Sequence, residues 1–260
     1  MKIGRRYKET RTNKLRIFFV IILIIIILIM SIKIYSDYKT KNNKSIKDIA
    51  NDKSVAQENK KTERMEKLEE LQKENSDIIG WLQIENSNIN YPVLQCDNNE
   101  YYMTHTYNRE YSKDGSLFLD KDYDWNKPST NLLIYGHNNI GSKEMFSELI
   151  NYKDENYYKE HKKIRFTTNK EDSEYEIIAV FLSRVYYKSE KNVFRYYYFI
   201  NANNEQEFND YIENSKKNSL YNIDATAKYG DQLLTLSTCE YSQTDGRLAV
   251  VARKQEENKE

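Results

Sequence analysis

The chain has 260 residues, with 40 Lys and Arg against 40 Asp and Glu, so its formal net charge is zero. It lacks the basic surplus or stripe of a nucleic-acid binder, and that class is set aside. Its two cysteines, Cys96 and Cys239, are too few for a disulfide scaffold, and the chain is long enough to build a core without one. A single Cys96–Cys239 bridge stays open.

Taken in chain order, the first landmark is an apolar run from Ile17 to Ile32, interrupted by Ser31. About sixteen residues span roughly 24 Å, which Leu15 and Ile34 extend while Arg16 and Lys33 reach the headgroups. Lys2, Arg5, Arg6, Lys8, Arg11, Lys14 and Arg16 precede it, opposed only by Glu9. Positive-inside bias then puts the N-terminus in the cytoplasm and the rest outside, as a single-pass protein of the cell membrane. A cleaved signal peptide fits less well, because Lys33 to Asp37 offers no small-residue cleavage pattern. A soluble core helix ranks third. The boundaries are a basic tail at 1–16, a transmembrane signal anchor at 17–35 and an extracellular stalk at 36–60. The folded domain covers 61–255, and a charged tail 256–260.

Met65, Leu68 and Leu71 recur at helical spacing between Thr62 and Glu74, giving an amphipathic helix for the domain's edge. After Ser76, five segments read as strands: Asn131 to Tyr135, Lys163 to Thr168, Tyr175 to Leu182, Gln232 to Cys239 and Leu248 to Arg253. Two helices interrupt them. Ser142 to Tyr152 carries Phe146, Leu149 and Ile150 on one face, and Glu205 to Lys216 carries Phe208, Tyr211 and Ile212. The fold class is mainly β.

The chemistry concentrates at Asp231 to Arg253. One strand ends at Cys239 and the next begins at Arg247, with a polar loop between. Antiparallel pairing sets Cys239 opposite Arg247. A guanidinium beside a thiol favours the thiolate and suits a developing oxyanion. A nucleophilic cysteine also needs a basic neighbour. Of three histidines, His161 in the charged stretch YYKEHKK reads as a solvated surface residue. His137 follows an apolar strand and Gly136, a common placement for a site residue. It is the first candidate and His105 the second, with an ordinary structural role open for each. Gly136 precedes His137 and Gly246 precedes Arg247, although turns need glycine in any case.

These residues resemble the sortase family. Thr235-Leu236-Ser237-Thr238-Cys239 matches the TLxTC signature in its class B form. Ile134 to Asn138 resembles the segment with the family histidine, and Gly246 to Val251 the one with its arginine. Asn90 to Gln95 (NYPVLQ) and His105 to Asp120 also look like class B stretches. The resemblance implies a closed eight-stranded sortase-type β-barrel with an N-terminal helix and flanking helices. It implies a cysteine transpeptidase whose Cys239 attacks the threonine carbonyl of a C-terminal sorting motif, NPxTx-like for class B. A protonated His137 would serve the leaving amine and Arg247 would hold the carbonyl region, with Ser237 and Glu240 lining the site. Asn90 and Leu94 would contact the sorting peptide, and Phe194 would belong to a loop over the groove. The implied partners are a secreted surface protein and an amine of a peptidoglycan stem, cross-bridge or lipid II, with the anchor in the membrane. No metal or cofactor is called for. A pilus-assembling sortase using a pilin lysine and a non-catalytic surface-binding module are the alternatives.

Overall fold

The computed structural model describes residues 28–36 and 57–256, which fall in two units, Met1–Val55 and Ala56–Glu260. In the first unit, residues 28–36 form helix α1. Among the described residues no helix is long and apolar enough to cross a membrane. This overturns the expected single-pass localisation at the cell membrane, together with the anchor as a link to it. Residues 17–27 of the apolar run lie outside the described residues, as do the basic tail 1–16, residues 37–56 and residues 257–260.

The second unit begins with helix α2 (Gln57–Glu74) and continues through β1 (Ile78–Ile84), β2 (Asn90–Leu94), β3 (Leu117–Leu119) and β4 (Asn131–Tyr135). Helix α3 (Glu155–Glu160), β5 (Lys163–Thr167) and β6 (Asp172–Arg184) follow, then α4 (Glu205–Lys217), β7 (Leu233–Cys239) and β8 (Gly246–Lys254). The eight strands close a barrel in the order β1-β2-β3-β4-β7-β8-β6-β5. Two neighbouring pairs, β2 with β3 and β4 with β7, run parallel.

Strand periodicity sorts the wall into two faces. Leu82, Val93, Leu117, Ile134, Ile164, Val180, Leu236 and Val250, one from each strand, meet in a single buried cluster, which is the barrel interior. The alternate residues Leu133, Leu233, Ala249 and Val251 turn outward into a second cluster with Phe208, Tyr211 and Ile212 of α4. Hence β7 is buried on both faces until Cys239, its last residue, which is partly exposed. Asn204 caps α4, its side chain accepting from Glu207 N at 3.0 Å.

The five strands and the α4 helix expected from sequence are present, and β1, β2 and β3 join them. The helix expected over Ser142 to Tyr152 is replaced by a turn and a 3-10 stretch, Glu148–Lys153. Lys143 and Met145 have left-handed backbones (φ 55° and 54°), which breaks helical continuity, while Phe146 and Leu149 still reach the core. His161, expected in solvent, is 8% exposed and stacked on Tyr157 with ring centroids 3.9 Å apart.

Helix α2 docks through Leu68, buried with Ile78, Leu94, Tyr102 and Phe118. Its Arg64 pairs with Asp172 at the start of β6, which also accepts from Arg165 at 3.1 Å and Thr167 Oγ1 at 2.5 Å. Burial pushes the Asp172 carboxyl up, but Thr167 and the two guanidiniums outweigh it and hold it below the ordinary value. Such a group stabilises the fold above its unfolded-state pKa, and the contribution is lost as pH falls through its folded value. Asp172→Asn should therefore lower stability by about 2 kcal/mol at neutral pH. In urea unfolding the gap between variant and parent should close on acidification. A gap independent of pH would exclude the carboxylate charge as its source.

Candidate active site

The β7–β8 ladder runs out to Cys239↔Arg247, so thiol and guanidinium are direct cross-strand neighbours on the outer face of the barrel. Both line one cavity of about 260 Å³, and His137 lines it too. Arg247 Nη1 donates to the carbonyls of Gly246 (2.9 Å) and Asp245 (3.3 Å). Among the described residues it makes no ion pair.

What carries His137 to Cys239 is the parallel pairing of β4 with β7, which ends at Tyr135↔Ser237. Beyond that point hydrogen bonds to side chains and main chain continue the contact. Gly136 N donates to Ser237 O at 3.2 Å, and Thr238 Oγ1 donates to Gly136 O at 2.7 Å. Asn138 Nδ2 donates to Cys239 O at 3.0 Å, and Tyr241 hydroxyl to Asn138 O at 2.6 Å. The His137 imidazole donates through Nε2 to Met103 O at 2.7 Å.

Glycine is required on both sides of the site by proximity, since neither Gly136 nor Gly246 has a positive φ. A Cβ at Gly136 would meet Leu117 Cδ2 and, at 2.7 Å, Phe146 Cδ2. At Gly246 it would strike the main-chain oxygen of Glu240, which lies across the hairpin mouth.

Ser237 also lines the cavity, and its Oγ shares a 2.7 Å hydrogen bond with the buried hydroxyl of Tyr196. The other candidate residues do not line this cavity. Asn90 Oδ1 accepts from Trp81 Nε1 at 2.6 Å, and Leu94 is fully buried beside Leu68 and Phe118. Phe194 packs on Phe181 and Tyr211 with centroids 5.7 and 5.6 Å away. Glu240 is 4% exposed, with its carboxylate taking Lys153 Nζ at 2.7 Å and Ser242 N at 3.0 Å. Burial raises this carboxyl, but Lys153 and Ser242 overcome that and hold it below the ordinary range.

Sequence reasoning missed Asn99, Met103, Phe118, Tyr135, Val185 and Tyr197, which complete the cavity. Most come from connecting segments with no periodicity to mark them. The one available sign for Asn99 and Met103 was their place between NYPVLQ and the stretch that begins at His105. His105 stacks on Tyr101 (centroids 4.1 Å apart), with Nδ1 donating to its carbonyl at 2.8 Å, and does not line the cavity. Cys96 and Cys239 are both free thiols. Among the described residues no group of His, Cys, Asp or Glu is placed to hold a metal ion.

In this closed mixed barrel a histidine just past β4, a cysteine closing β7 and an arginine opening β8 share one cavity, side chains of the kind that can carry acyl transfer through a thiol. The sortase domain family model matches residues 82–255. Sortase B of Staphylococcus aureus is 32% identical over 185 residues, covering 70% of this chain and 72% of that protein. Sortase B of Listeria monocytogenes is 32% identical over 206 residues, covering 78% and 80%. Among solved structures, the S. aureus sortase B–substrate complex superposes with a TM-score of 0.65 at 28% identity, covering 75% of this chain and 87% of that one. A sortase B complexed with triglycine gives 0.66 at 29% identity, covering 75% and 87%. The chain thus belongs to the sortase family, in its class B branch, and is a cysteine transpeptidase.

The two glycines should differ in tolerance. Gly136→Ala meets buried side chains and should cost about 2 kcal/mol, whereas Gly246→Ala meets main chain and should cost about 3 kcal/mol. Chemical unfolding of the two variants gives the ranking. Equal losses, or the reverse order, would show that the hairpin mouth is looser than its backbone contact implies.

Proposed function

We propose that this transpeptidase uses Cys239 as nucleophile, His137 as proton carrier and Arg247 as the group that holds the reacting carbonyl. The observation carrying this reading is that all three line a single cavity, with Cys239 and Arg247 paired across the β7–β8 ladder. The thiolate of Cys239 attacks the threonine carbonyl of a sorting motif, NPxTx-like, and the oxyanion forms beside the guanidinium. The threonine C–N bond breaks, and the departing amine takes a proton from His137, leaving a thioester on Cys239. An acceptor amine then attacks the thioester and gives a proton to His137, so that a new amide forms and the thiolate is restored.

The substrate is a protein bearing a C-terminal sorting signal, and the acceptor an amine of a cell-wall peptide. Relatives solved with a substrate and with triglycine motivate this choice. The wall suits such a peptide, since it combines apolar Met103, Phe118 and Val185 with polar Asn99 and Ser237. Ser237 would touch the peptide directly. Asn90, Leu94, Phe194 and Glu240 would shape the wall from behind.

A quenched peptide library of sorting-like motifs, with and without an oligoglycine acceptor, tests this on the full chain. Cys239→Ala should abolish cleavage. Arg247→Lys should lower kcat about 100-fold, because a compact ammonium cannot reproduce the guanidinium fork. Cleavage that survives Cys239→Ala would sink the assignment of the nucleophile, and an unimpaired Arg247→Lys the role of the arginine.

A further inference from the structure

We propose that Asn138 and Tyr241 are positioning residues for the transfer reaction, fixing the backbone that bears His137 to the backbone that follows Cys239. The inference rests on the assignment of Cys239 and His137 given above.

The β4–β7 ladder stops at Tyr135↔Ser237, and the bonds of Gly136 to Ser237 and Thr238 carry the contact one residue further, still short of His137 and Cys239 themselves. Residue 138 is then tied twice to the far strand. Its side-chain amide donates to Cys239 O, and its own carbonyl accepts from the Tyr241 hydroxyl. Together they close a ring, Asn138 to Cys239 to Tyr241 and back, one residue away from the imidazole on one side and including the thiol residue on the other. On its outer flank the same loop is held by Phe146 N to His137 O at 2.9 Å and by Asn139 Nδ2 to Asp114 Oδ1 at 2.8 Å. Those bonds fix the loop to its own neighbourhood and make no link to Cys239.

The two residues differ in a way that separates positioning from packing. Asn138 is 5% exposed, a buried amide whose donor would be costly to strand. Tyr241 is 61% exposed and does not line the cavity, so its ring contributes little burial. Its side-chain hydrogen bond to Asn138 O is its engagement with the site. Removing that hydroxyl leaves the fold and the peptide cavity untouched and loosens the register of His137 against Cys239. A displaced general acid and base is felt in the chemical steps rather than in peptide binding.

The test is steady-state cleavage and transfer by the full chain, with thermal unfolding alongside. Tyr241→Phe should lower kcat about three- to tenfold with KM for the sorting peptide unchanged and no measurable shift in Tm. Asn138→Ala should lower kcat further. The double variant should be no worse than Asn138→Ala, since both substitutions open the same ring. Wild-type kcat in Tyr241→Phe, a loss confined to KM, or losses that multiply in the double variant would each overturn the proposal. Cys239→Ala separates this proposal from the one it rests on. Activity surviving in that variant defeats the catalytic assignment, whereas a dead Cys239→Ala beside an unaffected Tyr241→Phe defeats the positioning role alone.

Discussion

The parallel pairing of β4 with β7 is the constraint on which the site depends. Strands β7 and β8 are antiparallel neighbours joined by a short turn, and that hairpin brings Cys239 to Arg247 at little topological cost. His137 has no such route, because 101 positions separate the next residue, Asn138, from its partner Cys239. The chain must build β5, β6 and α4 before β7 returns alongside β4. Everything in that excursion then serves the pairing. Strands β5 and β6 close the barrel, and α4 covers the outer face of β7, so that its interior residues are buried on both sides.

Covering β7 from outside creates a second demand, that polar residues of the TLSTC segment be satisfied within a dry layer. Thr235 Oγ1 meets the Tyr211 hydroxyl and Asn131 Oδ1, each at 2.9 Å, and Asn131 Nδ2 reaches Phe199 O at 2.8 Å. Ser237 meets Tyr196, and Thr238 turns to Gly136 O. Each hydroxyl of the motif therefore has a distinct structural partner, and a stranded one would carry the cost of an unpaired buried group. The three hydroxyl-bearing residues of the motif thus explain their own chemistry before any reaction is considered.

The sequence made parts of this legible and hid others for identifiable reasons. Strands β4 to β8 were readable because each is a run of apolar and β-branched residues. Strand β3 is only Leu117–Leu119, and β2 contains Asn90 and Pro92, so neither forms a periodic segment. The spacing of Phe146, Leu149 and Ile150 was real but compatible with a 3-10 stretch entered from a left-handed turn, and periodicity alone does not separate the two. The Cys239–Arg247 contact followed from hairpin parity. The approach of His137 did not, since a parallel pairing across a long connection leaves no spacing in the sequence. His161 was misread because its charged neighbours point to solvent while its own ring stacks on Tyr157.

The pairing of Glu240 with Lys153 alters the electrostatic character of the cavity mouth. The acid adjacent in sequence to the thiol is already neutralised and turned away, while Arg247 keeps an uncompensated charge among the described residues. No Asp or Glu lines the cavity, so the guanidinium opposite Cys239 has no acidic competitor there. The mouth of the cavity is thus a place of fixed positive charge, and its pull on any anionic group that enters weakens as the ionic strength of the medium rises.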